Sequence, residues 1–97
     1  MSKFIDGFLK SDHFIYRQWD RSINDILIRQ ILKNINPDCC NTLYVISRTA
    51  LKRINNKTNK ELFIKIHKTT LITCFYCEFK DYQGFKKEQN YLIINKI

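Results

Sequence analysis

His13, Arg17 and Arg21 recur at intervals of four residues. On one helix that spacing stacks them into a single polar stripe. An imidazole gives or takes a proton near neutral pH. Guanidinium groups stay charged and grip phosphate oxygens two at a time. Together they could cut RNA without a metal, with His13 as general acid/base for attack by the 2′-OH. Arg17 and Arg21 would be the fixed cations for the charge that builds on the phosphorane. The plain alternative is a solvated basic face, balanced by Asp12 and Asp20 nearby. No other constellation competes: the chain has no P-loop, no G-x-G-x-x-G, no H-E-x-x-H and no acidic cluster for magnesium.

Three other side chains bear on that stripe. Thr73, within Leu71-Ile72-Thr73, could turn a hydroxyl toward the same substrate. His67, beside Lys68, reads as an exposed hairpin residue more than as a catalyst. Trp19, flanked by Arg17 and Arg21, reads as a core or helix-packing anchor rather than a base-stacking platform.

The charge points to polyanions. Seventeen Lys+Arg against nine Asp+Glu leave +8 on 97 residues, a sizeable positive field for one small domain. Residues 50–97 carry +6 of it and residues 1–49 only +2. Within the basic stretch 48–68, Arg48, Lys52, Lys65 and His67 are the candidate nucleic-acid-binding residues. An AT-rich genome, which inflates Lys, Asn and Ile, would produce a similar balance with no partner at all. An acidic inhibitory protein would suit the same face.

The four cysteines do not read as a metal site. Cys39 and Cys40 are adjacent, and vicinal thiolates rarely bind one ion together. Cys74 and Cys77 form C-x-x-C inside a strand-like run, where residues three apart point to opposite faces. Buried free thiols, without metal or cofactor, are the expectation.

These residues must be positioned by a single domain spanning 1–97, since the length leaves no room for a second. Fifteen isoleucines and a 44% hydrophobic composition supply a core. No apolar run approaches the roughly 18 residues of a membrane span. The early Asp6, with no apolar stretch around it, argues against a signal peptide. Ser11-Asp12 is a plausible cap for a helix over His13 to Asp20. Ser22-Ile23-Asn24-Asp25 resembles a capping box opening a second, very apolar helix from Ile23 to about Asn34. Strands follow at Thr42–Arg48, Glu61–His67, Thr69–Cys77 and Tyr91–Asn95, with a tight hairpin at His67-Lys68. A short helical turn and a loop fill Thr49–Asn59, and residues 78–90 form another loop. The alternation in Glu61–His67 sets Leu62, Ile64 and Ile66 under the second helix, with Glu61, Phe63, Lys65 and His67 opposite. The expected class is α+β, with two N-terminal helices packed on a four-stranded, mostly antiparallel sheet.

Two segments carry a family resemblance. His13-Phe14-x-x-Arg17-x-x-x-Arg21-x-Ile23 resembles the H-F-x-x-R-x-x-x-R-x-I opening of small bacterial toxin domains. Leu71-Ile72-Thr73-Cys74-Phe75-Tyr76 is similar to their late strand. Those domains belong with the barnase–EndoU–colicin–RelE-like ribonuclease toxins, and the resemblance covers about residues 3–77. It implies a metal-independent endoribonuclease, with RNA such as tRNA as substrate and a 2′,3′-cyclic phosphate product. His13 would match the helix histidine, Arg17 and Arg21 the paired arginines, and Thr73 the late-strand hydroxyl. Trp19-Asp20 before Arg21 and a Cys-rich late strand depart from the pattern. The resemblance further implies action in the bacterial cytoplasm, a route of delivery within a secreted toxin, and a cognate acidic immunity protein or antitoxin. Two other classes stay open on the residues alone: a non-catalytic nucleic-acid-binding module, and a small protein-interaction or inhibitor protein.

Overall fold

The computed structural model describes residues 3–35, 41–54, 58–82 and 90–97. The chain opens with a short hairpin, β1 (Phe4–Ile5) and β2 (Phe8–Lys10). Its turn is Asp6-Gly7, with both residues at positive φ, 47° and 87°, the geometry that suits a two-residue hairpin loop. Helices α1 (Asp12–Asp20) and α2 (Asp25–Leu32) follow. Then come β3 (Thr42–Ile46), α3 (Arg48–Arg53), β4 (Glu61–His67), β5 (Thr70–Cys77), a 3₁₀ turn at Phe79–Asp81, and β6 (Tyr91–Ile94).

The α+β class holds, but among the described residues the sheet has six strands rather than four, in the order β1-β2-β5-β4-β3-β6. The added strands are the N-terminal hairpin, where the sequence reading had placed no element. Three pairings are antiparallel, while β2 runs parallel to β5 and β3 parallel to β6. A third helix, α3, occupies the segment expected as a helical turn; Ser47 starts it by accepting from the Ala50 amide at 3.1 Å. The second helix begins later than expected because Asn24, not Ser22, caps it, accepting from the Leu27 amide at 2.9 Å. Ser22 instead sits at φ 54° in the turn between the helices.

The register in β4 is as expected. Leu62, Ile64 and Ile66 lie with Leu27, Ile28, Ile31 and Leu32 of α2 in the main core. Each fully buried Leu or Ile there contributes about 1.5–3 kcal/mol. The opposite face has its own apolar patch: Leu43, Val45 and Phe63, with Phe75, Cys77 and Tyr82 against them. Phe63 and Phe75 stack across β4 and β5, 5.1 Å apart and 9° from parallel. Cys74 falls in the main core and Cys77 on the other face, so strand alternation separates the two thiols. Cys39 and Cys40 lie outside the described residues. No helix among the described residues is long and apolar enough to cross a membrane.

Candidate functional site

Helix α1 is seated on the sheet by its N-cap residue, Ser11. Ser11 Oγ accepts from the Phe14 amide at 3.0 Å and donates to the Ile72 carbonyl at 2.7 Å. Ile72 is the extra residue of a bulge: Lys65 opposes Thr73, while Ile66 opposes Leu71. A bulge leaves backbone groups outside the ladder, and the Ser11 hydroxyl takes up one of them. Below this cap, Phe14 and Gln18, one turn apart, face inward with 0% and 1% exposure. The helix is thereby rolled so that His13 points to solvent and Arg17 is half-buried.

That roll brings two of the proposed catalytic residues together. Arg17 Nε donates to His13 Nε2 over 3.4 Å on the exposed side of α1. The expected stripe does not continue to Arg21. The helix ends at Asp20, and Arg21 is its C-cap residue, with its amide bonded to the Arg17 carbonyl. Its guanidinium pairs with Asp20 at 3.4 Å, in an exposed setting where such a pair contributes little to stability. Arg21 therefore stands on the turn after the His13–Arg17 row.

Thr73 is not brought to this row. It is half-buried opposite Lys65, whereas Cys74, its neighbour, lies in the core beneath α1. Successive strand residues alternate faces, so the sheet separates Thr73 from His13 and Arg17.

The four candidate nucleic-acid-binding residues do not gather into one patch. Arg48 bonds Glu61 at 3.2 Å at the start of β4, and Lys52 is exposed one turn further along α3. Lys65 is half-buried in mid-strand, and His67 is exposed at the far end of β4. His67 lies six residues along the strand from Glu61, about 20 Å.

Trp19 departs most clearly from expectation. It is 73% exposed rather than packed inside. Its ring lies 6.3 Å from that of Tyr16, one turn back and also exposed. The position that would have buried it is taken by Gln18, whose amide donates to the Ile23 carbonyl at 2.9 Å and to Asp25 Oδ1 at 3.0 Å.

That same carboxylate receives Lys10 Nζ at 2.7 Å, with the Lys10 side chain fully withdrawn from water. Burial acts to raise the Asp25 carboxyl, but the Lys10 and Gln18 hydrogen bonds and the charges of Lys10 and Arg29 prevail, holding it below its ordinary value. Lys10 was not among the sequence candidates, although Phe8 and Lys10 share one face of a strand by simple alternation. Cys74 lies near the same charges. Burial pushes its thiol up to about 12, against the opposing pull of Arg17 and Lys10. It is an inert core residue, not a nucleophile.

No family model, curated protein or solved structure matches the chain. Its function must be argued from this geometry.

Proposed function

We propose that the protein is a metal-independent endoribonuclease of toxin type, acting through the exposed row His13–Arg17 with Arg21 beside it. The observation that carries this reading is the 3.4 Å contact between Arg17 Nε and His13 Nε2 on a solvent-facing helix. It puts an imidazole and a permanent cation within reach of one phosphodiester. As the Arg17 guanidinium turns to the phosphate it releases His13 Nε2, which takes the 2′-OH proton, and the 2′-oxygen attacks the adjacent phosphorus. The P–O5′ bond breaks, and the leaving oxygen takes up a proton from solvent water. Arg17 and Arg21 balance the phosphorane charge. The products are a 2′,3′-cyclic phosphate and a 5′-hydroxyl. The net charge of +8 favours RNA encounter, and the resemblance of the His13–Ile23 segment to ribonuclease-toxin domains agrees with the assignment. An acidic immunity protein or antitoxin that covers α1 is the partner this reading calls for, and the bacterial cytoplasm is where it would act.

The test is incubation with total tRNA and rRNA in the presence of EDTA. Discrete fragments ending in 2′,3′-cyclic phosphate are expected. Binding without cleavage would replace the enzyme with a nucleic-acid-binding module. Neither binding nor cleavage would leave the protein-interaction class.

A further inference from the structure

Tyr16 and Trp19 are large aromatic side chains left 54% and 73% exposed on the helix that carries His13 and Arg17. Tyr16 follows His13 by three residues and precedes Trp19 by three, so the rings form a second row that leaves His13 on the side of the helix away from Arg17. The distance from His13 to Trp19 along the helix axis is about 9 Å. Beyond Trp19, where α1 gives way to α2, an open groove of about 310 Å³ is lined by Gln18, Trp19, Ser22, Ile23 and Asn24. That is the lower end of the range for small-ligand sites. Two carboxylates, Asp12 and Asp20, lie on the same helix, and Asp20 is engaged by Arg21. Among the described residues Arg17 has no carboxylate partner.

We propose that Tyr16 and Trp19 form a stacking surface for an unpaired base of single-stranded RNA, whose neighbouring phosphate is held by Arg17. The proposal rests on reading His13–Arg17 as a phosphate site, and it adds the substrate class: single-stranded or looped RNA rather than duplex. Every base has a π-face that an aromatic ring can cover, whatever the sequence. In a duplex those faces are already stacked, and proteins read A-form helices by shape and backbone instead. The positive charge of the chain makes a polyanion the complementary occupant of an aromatic surface that begins at His13, whose hydrogen-bond partner Arg17 holds no carboxylate.

Trp19 is the sole tryptophan, so its fluorescence reports on this surface alone. The intact protein is titrated at low ionic strength with a short single-stranded 2′-O-methyl RNA, which has no free 2′-OH to react. The same strand as a duplex and an abasic strand of equal length serve as comparisons. Quenching by the single strand, and little by the other two, is expected. Trp19→Ala and Tyr16→Ala should each weaken binding of a labelled strand on the order of 10-fold, with Trp19→Phe retaining most of it. Equal quenching by the abasic strand, or unchanged binding by Trp19→Ala, would overturn the stacking surface. Arg17-dependent RNA cleavage with no quenching and an unaltered KM in Trp19→Ala would remove the stacking surface and leave the ribonuclease reading standing. Base-dependent quenching without cleavage would do the reverse. Absence of both would remove both.

Discussion

Lys10 Nζ and Asp25 Oδ1 lie 2.7 Å apart, one side chain wholly buried and the other 28% exposed. The pair ties the last residue of β2 to the first residue of α2, with Gln18 of α1 bonded to the same oxygen. Its two halves are unequal. Removing Asp25 strands a buried ammonium, whereas removing Lys10 leaves a carboxylate that keeps Gln18 and some water. Asp25→Ala should therefore cost about 3 kcal/mol, and Lys10→Met about 1 kcal/mol or less in either direction. Thermal unfolding of the two variants checks this; equal losses would contradict the asymmetry.

The same pair sets a pH dependence. The Asp25 carboxyl is held below its ordinary value of 3.8 in the folded state, so its ionised form favours folding. Its contribution is fully present above about pH 4 and is lost as pH falls through the lower folded-state value. The stability gap between the native chain and Asp25→Asn should shrink on acidification. A gap that widened below pH 4 would show the opposite sign.

Ser11 serves two elements with one hydroxyl, capping α1 and bonding the bulge carbonyl of Ile72. Ser11→Ala should lose about 1–2 kcal/mol, a fall in Tm of roughly 4–8 °C per kcal/mol for a domain of this size. Ser11→Thr should recover most of it. An unchanged Tm in Ser11→Ala would mean that water replaces both bonds.

Cys74 and Cys77 should differ in reactivity. Burial raises both thiols, Cys74 to about 12, but Cys77 is only half-buried. Alkylation of the native protein, mapped by fragment mass spectrometry, should label Cys77 first and Cys74 only on unfolding. Rapid native labelling of Cys74 would contradict its place in the core.

Substitutions at the candidate site should separate along the two faces of the sheet. His13→Ala and Arg17→Ala should each reduce RNA cleavage on the order of 10²-fold or more with the fold intact. Arg17→Lys should restore little, since a point charge lacks the bidentate fork. Thr73→Val, on the opposite face, should leave cleavage unchanged, and Asp20→Asn, which frees Arg21, should tighten RNA binding. Full cleavage by His13→Ala would end the ribonuclease reading.

Local pattern alone determined the central part of this molecule. Alternation through Glu61–His67 placed Leu62, Ile64 and Ile66 on one face because the side-chain period of a strand is two, whatever the strand meets. It also separated Cys74 from Cys77. The N-terminal hairpin was equally open to local reading, since Asp6-Gly7 supplies a turn with two positive φ angles. Tertiary contact decided the rest. In α1 the spacing offers two inward stripes, Phe14 with Gln18 or Ile15 with Trp19, and hydrophobicity favours the second. The first is buried because Gln18 is needed to bond the Ile23 carbonyl and Asp25, in neighbouring chain that no helical period describes. Trp19 is left outside as a result. The parallel pairings of β2 with β5 and β3 with β6 join segments far apart in sequence, and no local signal encodes such a partner. Thr73 follows the same logic: its strand was legible, but the side from which α1 covers that strand was set by Ser11 reaching the Ile72 carbonyl across 61 residues of chain.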